Sequence, residues 1–540
     1  MKELKYKGTG ASNGTAVGKL LFMHSDIVQV PSYTIYHINS ELQRYENAKK
    51  IAINELEELS INAIESQGIE NAEIFNIHSM MLDDPDLHDE IVDTISKQRI
   101  NAEKAVEMAA NSFIEMLKST NDAYLQARTV DIQDISSRLI RILLGKSTKA
   151  SLFNEPCILY AEDLTPSETV QLDKKKVLGI ITAYGSSNSH TAILARTNGI
   201  PCIVGCGTIP DIFNGNMIAI DGGSGEYEIN PSENTVIHYK KLMESERLRR
   251  ERLSLLKGLP TRTSEGRTIN LYANIGNLSD VNAVIENDAE GIGLFRTEFI
   301  FMERSELPGE EEQFSIYHNV LRRMDGKKTI IRTLDIGADK HSKALELPIE
   351  ENPALGLRGI RLCLSRSDIF TTQLRALLRA SAYGKMAIMF PMIASVWEIR
   401  EVKKLIKQIC LTLDGEKIEY DHSLEIGVMI ETPAAAILSS DFAEEVDFFS
   451  IGTNDLTQYC LAADRQNPSV SRYYRQDHEA VMALIKKTCE NAHRAGIWVG
   501  ICGEIASDLT MVRKLISFGV DELSVSPPKI LPLREKIRNL

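Results

Sequence analysis

Residues 426–455 read IGVMIETPAAAILSSDFAEEVDFFSIGTND. Two short apolar runs, 426–430 and 447–451, enclose a stretch that is typical of a helix. Polar side chains that can bind a ligand follow each run. Glu431 comes directly after the first run, and Asn454 and Asp455 lie shortly after the second. A short apolar run, a helical stretch and a second apolar run are typical of a strand–helix–strand unit in a parallel sheet.

The same alternation continues from Arg267 to the end of the sequence. Short apolar runs lie at Ile269–Ala273, Gly291–Phe295, Thr329–Arg332, Met386–Phe390, Ile426–Ile430, Asp447–Ile451, Ile497–Ile501 and Val520–Val525. Eight such units in about 270 residues have the size of a closed parallel barrel. An open doubly wound sheet is the structural alternative, but eight consecutive units favour closure. We predict a (β/α)8 barrel over residues 261–540.

The first half of the sequence has a different texture. Residues 31–144 carry long helical patterns with almost no glycine, whereas residues 1–30 and 145–230 are richer in glycine and in short β-type runs. The pattern predicts one α/β domain, 1–30 with 145–230, interrupted by an all-α bundle at 31–144. A charged helical linker, 231–260, ends at a Gly and Pro stop signal. The fold class is therefore multidomain α/β.

Composition excludes some function classes. The chain has 540 residues and a net charge of −14, so nucleic acid is an unexpected partner and a basic protein surface a plausible one. There is no apolar run long enough for a membrane span, and the N-terminal residues lack the apolar core of a signal peptide. The eight cysteines are scattered, which fits reduced thiols in a cytoplasmic protein.

Functional residues of such barrels lie where strands end and loops begin. At those positions stand Asn274, Arg296, Arg332 with Asp335, Glu431, Asn454 with Asp455, and Cys502, and longer loops add Arg358 and Arg465. Four arginines around one mouth would repel one another unless an anion lay among them, and guanidinium groups match phosphate and carboxylate oxygens. Glu431 and Asp455 offer hard oxygen ligands for Mg²⁺. Together they predict a small polyanionic ligand. Singly, each arginine fits an ion pair equally well, and Cys502 fits a buried apolar side chain.

A histidine in the α/β domain adds a second candidate site. His190 follows small residues and opens an amphipathic helical pattern, in the stretch GSSNSHTAILAR at 185–196. The free N–H groups and the dipole of a helix N-terminus favour an anion there, so His190 is suited to carry a phosphoryl group. A capped, hydrogen-bonded histidine is the plain alternative.

Seven segments together resemble a known family. They are GSSNSHTAILAR (185–196), GLFRTEF (293–299), TLDIGADK (333–340), GLRGIR (356–361), IETP (430–433), SIGTNDLTQY (450–459) and GICGE (500–504). In this order they resemble the Enzyme I family of the bacterial phosphotransferase system, the phosphoenolpyruvate–protein phosphotransferases. The resemblance extends from the start of the chain to its end.

The resemblance implies a two-step relay. Phosphoenolpyruvate and Mg²⁺ bind in the barrel and phosphorylate His190. The phosphohistidine domain then swivels and presents the group to HPr, a small carrier protein that docks on the helical insertion. It further implies a homodimer formed through the barrel. The implied roles are substrate binding for Arg296, Arg332, Arg358, Asn454 and Arg465, metal binding for Glu431 and Asp455, and protonation of the enolate by Cys502.

The docking expectation has support in the charge pattern of the insertion. Residues 51–100 contain twelve Asp or Glu against Lys97 and Arg99, a net charge of −10. An acidic face would attract a carrier that is basic around its histidine. A solvated helix face is an equally good explanation of any one of these residues.

Three positions depart from the family pattern: Ala338, Gln466 and the stretch 474–478. They leave open a specialised paralogue that serves another carrier. A dikinase-like phosphoenolpyruvate enzyme is a second alternative, although such enzymes have a large nucleotide-grasp domain and the insertion here has only about 110 residues. A catalytically silent regulatory binder is a third, and it would be expected to show gaps in the set of site residues.

Overall fold

The structure is a computed structural model that describes residues 4–23, 30–67, 69–119, 129–146, 155–164, 168–169, 172, 176–186, 189–302, 306–337, 343–345, 347 and 350–540. The side chains of residues 62–73, 190, 193, 197, 343 and 468 are outside this description. The chain divides into two compact units, Met1–Arg249 and Arg250–Leu540. In the described ranges, no helix is both long and apolar enough to cross a membrane.

The first unit contains one mixed sheet. Its strands are β1 Leu4–Lys7, β2 Thr9–Ser12, β3 Thr15–Met23, β4 Cys157–Ala161, β5 Val177–Thr182, β6 Cys202–Val204, β7 Met217–Asp221 and β8 Glu226–Ile229, in the order β1-β8-β7-β3-β4-β5-β6-β2. Strand β3 pairs in parallel with β4, from Lys19 with Cys157 to Met23 with Ala161. The strands on both sides of the helical insertion therefore belong to one sheet, as predicted.

Helices separate β3 from β4. They are α1 Ile38–Gln67, α2 Ile69–Leu82, α3 Pro85–Gln98, α4 Ala102–Lys118 and α5 Thr129–Leu143. Their apolar sides form a core of their own, in which Tyr45, Leu56, Phe75 and Ile95 are buried. Asp84 caps α3, because its side chain accepts from the N–H groups of Asp86 and Leu87. The capping carboxylate also lies at the favourable end of the helix dipole.

Among the described residues of this half of the chain, the next helices are α6 His190–Asn198 and α7 Glu233–Ser254. Helix α7 is exposed along most of its length. It ends a few residues before Gly258, whose φ of +75° is the left-handed conformation that favours glycine after a helix. The predicted linker is therefore helical, and its outer boundaries remain a prediction.

The second unit is a closed parallel barrel. Its strands are β9 Asn270–Ile275, β10 Gly291–Arg296, β11 Lys328–Arg332, β12 Met386–Phe390, β13 Glu425–Ile430, β14 Phe448–Ile451, β15 Trp498–Ile501 and β16 Glu522–Val525. The last strand closes the barrel by pairing with the first, with Leu523 opposite Leu271. All eight predicted strands are present and begin within two residues of the predicted position, so the predicted fold class is confirmed.

The helices of the barrel unit surround these strands. They are α8 Asp280–Glu286, α9 Glu310–Met324, α10 Ile360–Ser365, α11 Ser367–Ser381, α12 Val396–Glu416, α13 Pro433–Ile437, α14 Ser439–Ala443, α15 Thr453–Leu461, α16 Glu479–Ala495, α17 Val512–Phe518 and α18 Ile530–Arg538. Inside the barrel, strand side chains form a packed layer of Tyr272, Leu294, Ile330, Ala387, Met389, Met429 and Phe448 with Cys502. The barrel is thus filled, and the loops after its strands must form the site.

Candidate active site

The barrel residues singled out from the sequence meet in one cavity of about 340 Å³ at the C-terminal ends of the strands. It is lined by Asn274, Arg296, Arg332, Asp335, Arg358, Glu431, Asn454, Asp455, Arg465 and Cys502, together with Glu298, Glu504 and a few others. Arginines from four separate places in the sequence therefore face the same small volume.

Local structure explains how the carboxylates are free to face the cavity. Thr432, rather than Glu431, caps α13: its hydroxyl accepts from the N–H of Ala435 at 3.1 Å. Glu431 is thereby left to point into the barrel, where its side chain is fully buried. Asp455 lies in the first turn of α15, just beyond β14, and is also buried. Because both side chains are buried, Glu431 and Asp455 differ from ordinary capping and turn residues, which face solvent.

Arg332 is held by two buried carboxylates. Its Nη2 lies 2.8 Å from Oε1 of Glu298, and its Nη1 lies 3.0 Å from Oδ2 of Asp335. Burial alone would lower the pKa of Arg332, but the charges of Glu298 and Asp335 raise the pKa above its usual value. Arg332 therefore carries a fixed positive charge in a rigid position.

Arg358 is anchored even more fully. Its Nη2 lies 3.1 Å from both carboxylate oxygens of Asp335, and its Nη1 lies 3.4 Å from Oδ1 of Asp455 and 3.2 Å from the hydroxyl of Tyr459. Repulsion among the arginines is thus relieved partly by the protein's own acids. The sequence analysis expected an external anion to be needed among all four arginines. For Arg332 and Arg358 that expectation is wrong, because acidic side chains of the protein already pair with them.

Arg296 has a different environment. Its Nε, like that of Arg332, is buried without a hydrogen-bond partner among the described residues. Whereas Arg332 is paired with Glu298 and Asp335, Arg296 forms no ion pair with any described residue. Its guanidinium lies over the ring of Phe299, 5.2 Å from the centroid. Arg296 as a whole is half-buried. Since a partly desolvated charge needs compensation, Arg296 is the cavity arginine whose charge is available to an external anion. Arg465 lies farther from an acid, with Nη1 3.8 Å from Oδ2 of Asp455.

Glu431 and Asp455 are suited to hold a divalent cation. Oε1 of Glu431 accepts from the N–H of Met392 at 2.6 Å, whereas its Oε2 is buried with no hydrogen-bond partner in the described chain. Burial and the nearby Asp455 and Asp335 raise the pKa of Glu431 above its usual value, against the opposing effect of Arg332 and Arg358. These two carboxylates are not part of a larger cluster: within the described residues, no group of three or more His, Cys, Asp or Glu is arranged to hold a metal ion.

Cys502 follows β15 and is both a packed and a cavity-lining side chain. It is 7% exposed, and its Sγ lies 3.8 Å from the carbonyl oxygen of Ile451. Burial raises the pKa of the Cys502 thiol to about 12. The thiol is therefore protonated near neutral pH, which is the form that a proton donor needs.

The amide of Asn454 lies at the rim of the cavity in a hydrogen-bonded network. Its Oδ1 accepts from the N–H of Glu504 at 3.1 Å and from Nε2 of Gln476 at 3.0 Å. Its Nδ2 donates to Oε1 of Glu504 at 3.3 Å. Asn454 is thus oriented by residues far away in the sequence.

His190 lies in the first unit, at the first residue of α6. Ser189 caps this helix, and its hydroxyl accepts from the N–H of Ala192 at 3.4 Å. The predicted location at a helix N-terminus is correct, whereas the imidazole is outside the described side chains. Ala338 is outside the described residues as well.

Sequence reasoning did not assign a role to Glu298, Glu504 or Gln476. Glu298 and Glu504 lie in the segments GLFRTEF and GICGE, two residues after Arg296 and two after Cys502. Their positions just beyond strand ends could therefore have predicted that they line the cavity. Gln476 lies in a stretch noted only as a departure from the family pattern. No spacing in the sequence points from it to Asn454.

Comparison with known proteins gives the class of the protein. Residues 250–540 match the sequence model of the PEP-binding domain of PEP-utilising enzymes, residues 153–225 that of their mobile domain, and residues 7–128 that of their N-terminal domain. The barrel with its arginine-lined cavity and the separate unit with its histidine are thus those of a PEP-utilising enzyme.

Full-length relatives narrow the class to one family. The chain is 43% identical over 536 residues to a phosphoenolpyruvate-protein phosphotransferase of Priestia megaterium, covering 99% of this chain and 94% of that one. It is 42% identical over 544 residues to the protein of the same name in Bacillus subtilis, covering 100% and 95%. An NMR structure of an Enzyme I protein is 34% identical and covers 45% of this chain and 99% of that one, with a TM-score of 0.39. The chain belongs to the phosphoenolpyruvate-protein phosphotransferase family, which confirms the resemblance.

Proposed function

We propose that the barrel cavity binds phosphoenolpyruvate and that its phosphoryl group passes to His190 and then to a histidine of the carrier HPr, with release of pyruvate. The observation that carries this proposal is the cavity lined by four arginines, of which Arg296 has a buried Nε without a hydrogen-bond partner and no ion pair among the residues that the structure describes. Such a cavity fits a small ligand that bears phosphate and carboxylate together.

The arginines have separate parts in this proposal. Arg296, Arg332 and Arg465 hold the phosphate and carboxylate of the substrate. Arg358 contributes positive charge at the same mouth and keeps Asp335 and Asp455 in place through its contacts of 3.1 and 3.4 Å. Asn454 orients the substrate. Phosphoryl transfer requires mainly positioning and neutralisation of the phosphate oxygens, which fixed guanidinium groups provide.

Glu431 and Asp455 are the proposed ligands of Mg²⁺. The buried Oε2 of Glu431 has no partner in the described chain, and the Asp455 carboxylate lines the same cavity. Hard carboxylate oxygens suit this ion, and Mg²⁺ commonly takes only one or two protein carboxylates, with phosphate and water for the rest. When bound, the ion neutralises negative charge on the phosphate and on the enolate oxygen.

His190 and Cys502 complete the chemistry. A neutral imidazole, with a reference pKa of about 6.5, is a competent nucleophile near pH 7. The N–P bond to His190 forms as the P–O bond of phosphoenolpyruvate breaks. The S–H bond of Cys502 then supplies the proton that converts the enolate into pyruvate. His190 and the cavity lie in different units, so we propose that the domain carrying His190 swivels between the barrel and the carrier.

The helical insertion is the proposed docking site for HPr. Exposed acids on α1 and α3 include Glu57, Glu58, Asp86, Asp89 and Glu90. They match a carrier that is basic around its histidine. We place the relay in the cytoplasm, which fits eight free cysteines, and expect a homodimer through the barrel. Light scattering that finds only monomers at micromolar concentration would remove the dimer from this account.

A chase experiment with a panel of carriers tests the proposal. The protein is labelled with [³²P]phosphoenolpyruvate and Mg²⁺, freed of excess donor, and mixed with HPr or with HPr paralogues. We expect the label to move to HPr. Transfer to a paralogue alone would indicate a specialised relative of the sugar-system enzyme, the alternative that the departures at Ala338, Gln466 and 474–478 leave open. Labelling by ATP alone would favour a dikinase-like enzyme and contradict the proposal.

A further inference from the structure

The segment after α15 contacts Asn454 at two points. The hydroxyl of Tyr474 donates to the backbone carbonyl of Asn454 at 3.1 Å. Nε2 of Gln476 donates to the side-chain Oδ1 of Asn454 at 3.0 Å. Asn454 lines the cavity, so this segment reaches the site from outside the barrel strands. The segment is also one of the places where the sequence departs from the family pattern.

The amide of Gln476 has a defined orientation. Its Oε1 accepts from the hydroxyl of Thr453 at 3.3 Å, while its Nε2 faces Asn454. A hydroxyl can give its proton to the amide oxygen but not to the amide nitrogen. Thr453 is itself tightly packed: a Cβ at Gly503 would lie 2.0 Å from its Oγ1. Thr453 therefore directs the donor end of Gln476 toward Asn454.

This contact decides which end of the Asn454 amide faces the cavity. Oδ1 of Asn454 accepts from two N–H groups, those of Glu504 and Gln476. Its NH₂ group consequently lies on the other side, where one N–H donates to Oε1 of Glu504 at 3.3 Å. An NH₂ group has two protons, and the second is left to donate to an anionic oxygen in the cavity.

We propose that Gln476 is a positioning residue for substrate binding: it holds the Asn454 amide with its donor side toward the phosphate or carboxylate oxygens of the substrate. This inference rests on the proposed function of the cavity. Gln476 acts through Asn454 and does not touch the reacting atoms. Gln476 lies in the loop after α15, and it fixes an orientation of the Asn454 amide that the barrel strands do not fix by themselves.

The substitution Gln476→Glu tests this orientation with little change of shape. The carboxylate of the variant can still accept the hydrogen bond from Thr453. It has no N–H to donate, however, and places an oxygen against Oδ1 of Asn454, so that two acceptors face each other. Losing one hydrogen bond of this kind corresponds to a rise of about threefold to tenfold in KM for phosphoenolpyruvate, with kcat nearly unchanged. Gln476→Met, which removes the donor without adding charge, should give a smaller rise in the same direction. The matched control is Arg475→Gln, because Arg475 is exposed and pairs only with Asp477 among the contacts described; its KM should stay that of the parent.

A double-mutant cycle separates positioning from a general structural role. In an Asn454→Ala chain the partner is gone, so Gln476→Glu should raise KM no further. An equal rise in both backgrounds, or an unchanged KM in the parent background, would overturn the inference while leaving the proposed function intact. Failure of the unsubstituted protein to accept phosphate from phosphoenolpyruvate would instead overturn both. Thermal unfolding of each variant checks that the barrel is folded.

Discussion

Replacing Glu522 by glutamine is expected to make the stability of the barrel less dependent on pH. Glu522 is the first residue of β16; it is fully buried, and neither carboxylate oxygen has a hydrogen-bond partner in the described chain. Two glycines make room for it, since a Cβ would lie 2.5 Å from Oε1 at Gly293 and 1.9 Å from Oε2 at Gly500. Burial raises the pKa of Glu522 well above its usual value, with Lys328 opposing the shift.

The sign and size of the effect follow from proton linkage. Above the unfolded pKa of about 4.3, the unfolded chain has lost the Glu522 proton and the folded chain has kept it. The free energy of unfolding therefore falls by about 1.4 kcal/mol for each pH unit until the pH passes the folded pKa. The contribution is complete below the unfolded pKa and is lost as the pH rises. Glutamine does not titrate, so Glu522→Gln should remove this slope.

Chemical denaturation of the full chain measures the effect. Both tryptophans, Trp397 and Trp498, lie in the barrel unit, so their fluorescence follows its unfolding. The difference in unfolding free energy between Glu522→Gln and the parent should change in favour of the variant as the pH rises above the unfolded pKa of about 4.3. It should level off once the folded parent also loses the Glu522 proton. Glu286→Gln, at an exposed carboxylate on α8, is the control and should keep the parental slope. Parallel pH profiles for Glu522→Gln and the parent would refute this reasoning.

Three further substitutions separate binding, stability and chemistry. Arg296→Gln should lower kcat/KM for phosphoenolpyruvate by about 10- to 100-fold, the worth of a charge-assisted hydrogen bond, and leave the unfolding midpoint near that of the parent. Arg332→Gln should lower both kcat/KM and the unfolding midpoint, because it also removes the ion pairs that Arg332 forms with the buried Glu298 and Asp335. Equal stability losses in the Arg296 and Arg332 variants would contradict the assignment of Arg296. Cys502→Ser should slow pyruvate formation far more than it weakens phosphoenolpyruvate binding measured by calorimetry, since a hydroxyl is a much weaker acid than a thiol. An unchanged rate would remove Cys502 from the role of proton donor.

The barrel could be predicted from the sequence because its strands are short apolar runs that are separated by helical patterns. The same pattern predicted which residues line the cavity, since side chains at successive strand ends must share one face of a closed barrel. Arg296, Glu431 and Cys502 were placed at the cavity in this way, and they line it in the structure. The start of α6 at His190 could also be predicted from the sequence, because a capping serine and small residues precede an amphipathic run.

What the sequence did not predict depends on contacts between distant residues. Nothing near Arg332 in the chain shows that the distant Glu298 pairs with it. Glu522 resembles an ordinary polar boundary of a strand, and its burial becomes evident only when Gly293 and Gly500 are brought beside it by barrel closure. Gln476 contacts Asn454 across a loop whose path no periodicity defines. Side-chain partners of this kind require the folded geometry.

Locating the phosphoryl group on the chain tests the central claim most directly. The full chain is mixed with phosphoenolpyruvate and Mg²⁺, digested under conditions that preserve phosphohistidine, and analysed by mass spectrometry. The account predicts one acid-labile phosphate on His190, its loss in His190→Ala, and a strongly reduced rate of appearance in Arg296→Gln. Phosphate on a different residue, or an undiminished yield in His190→Ala, would contradict the account.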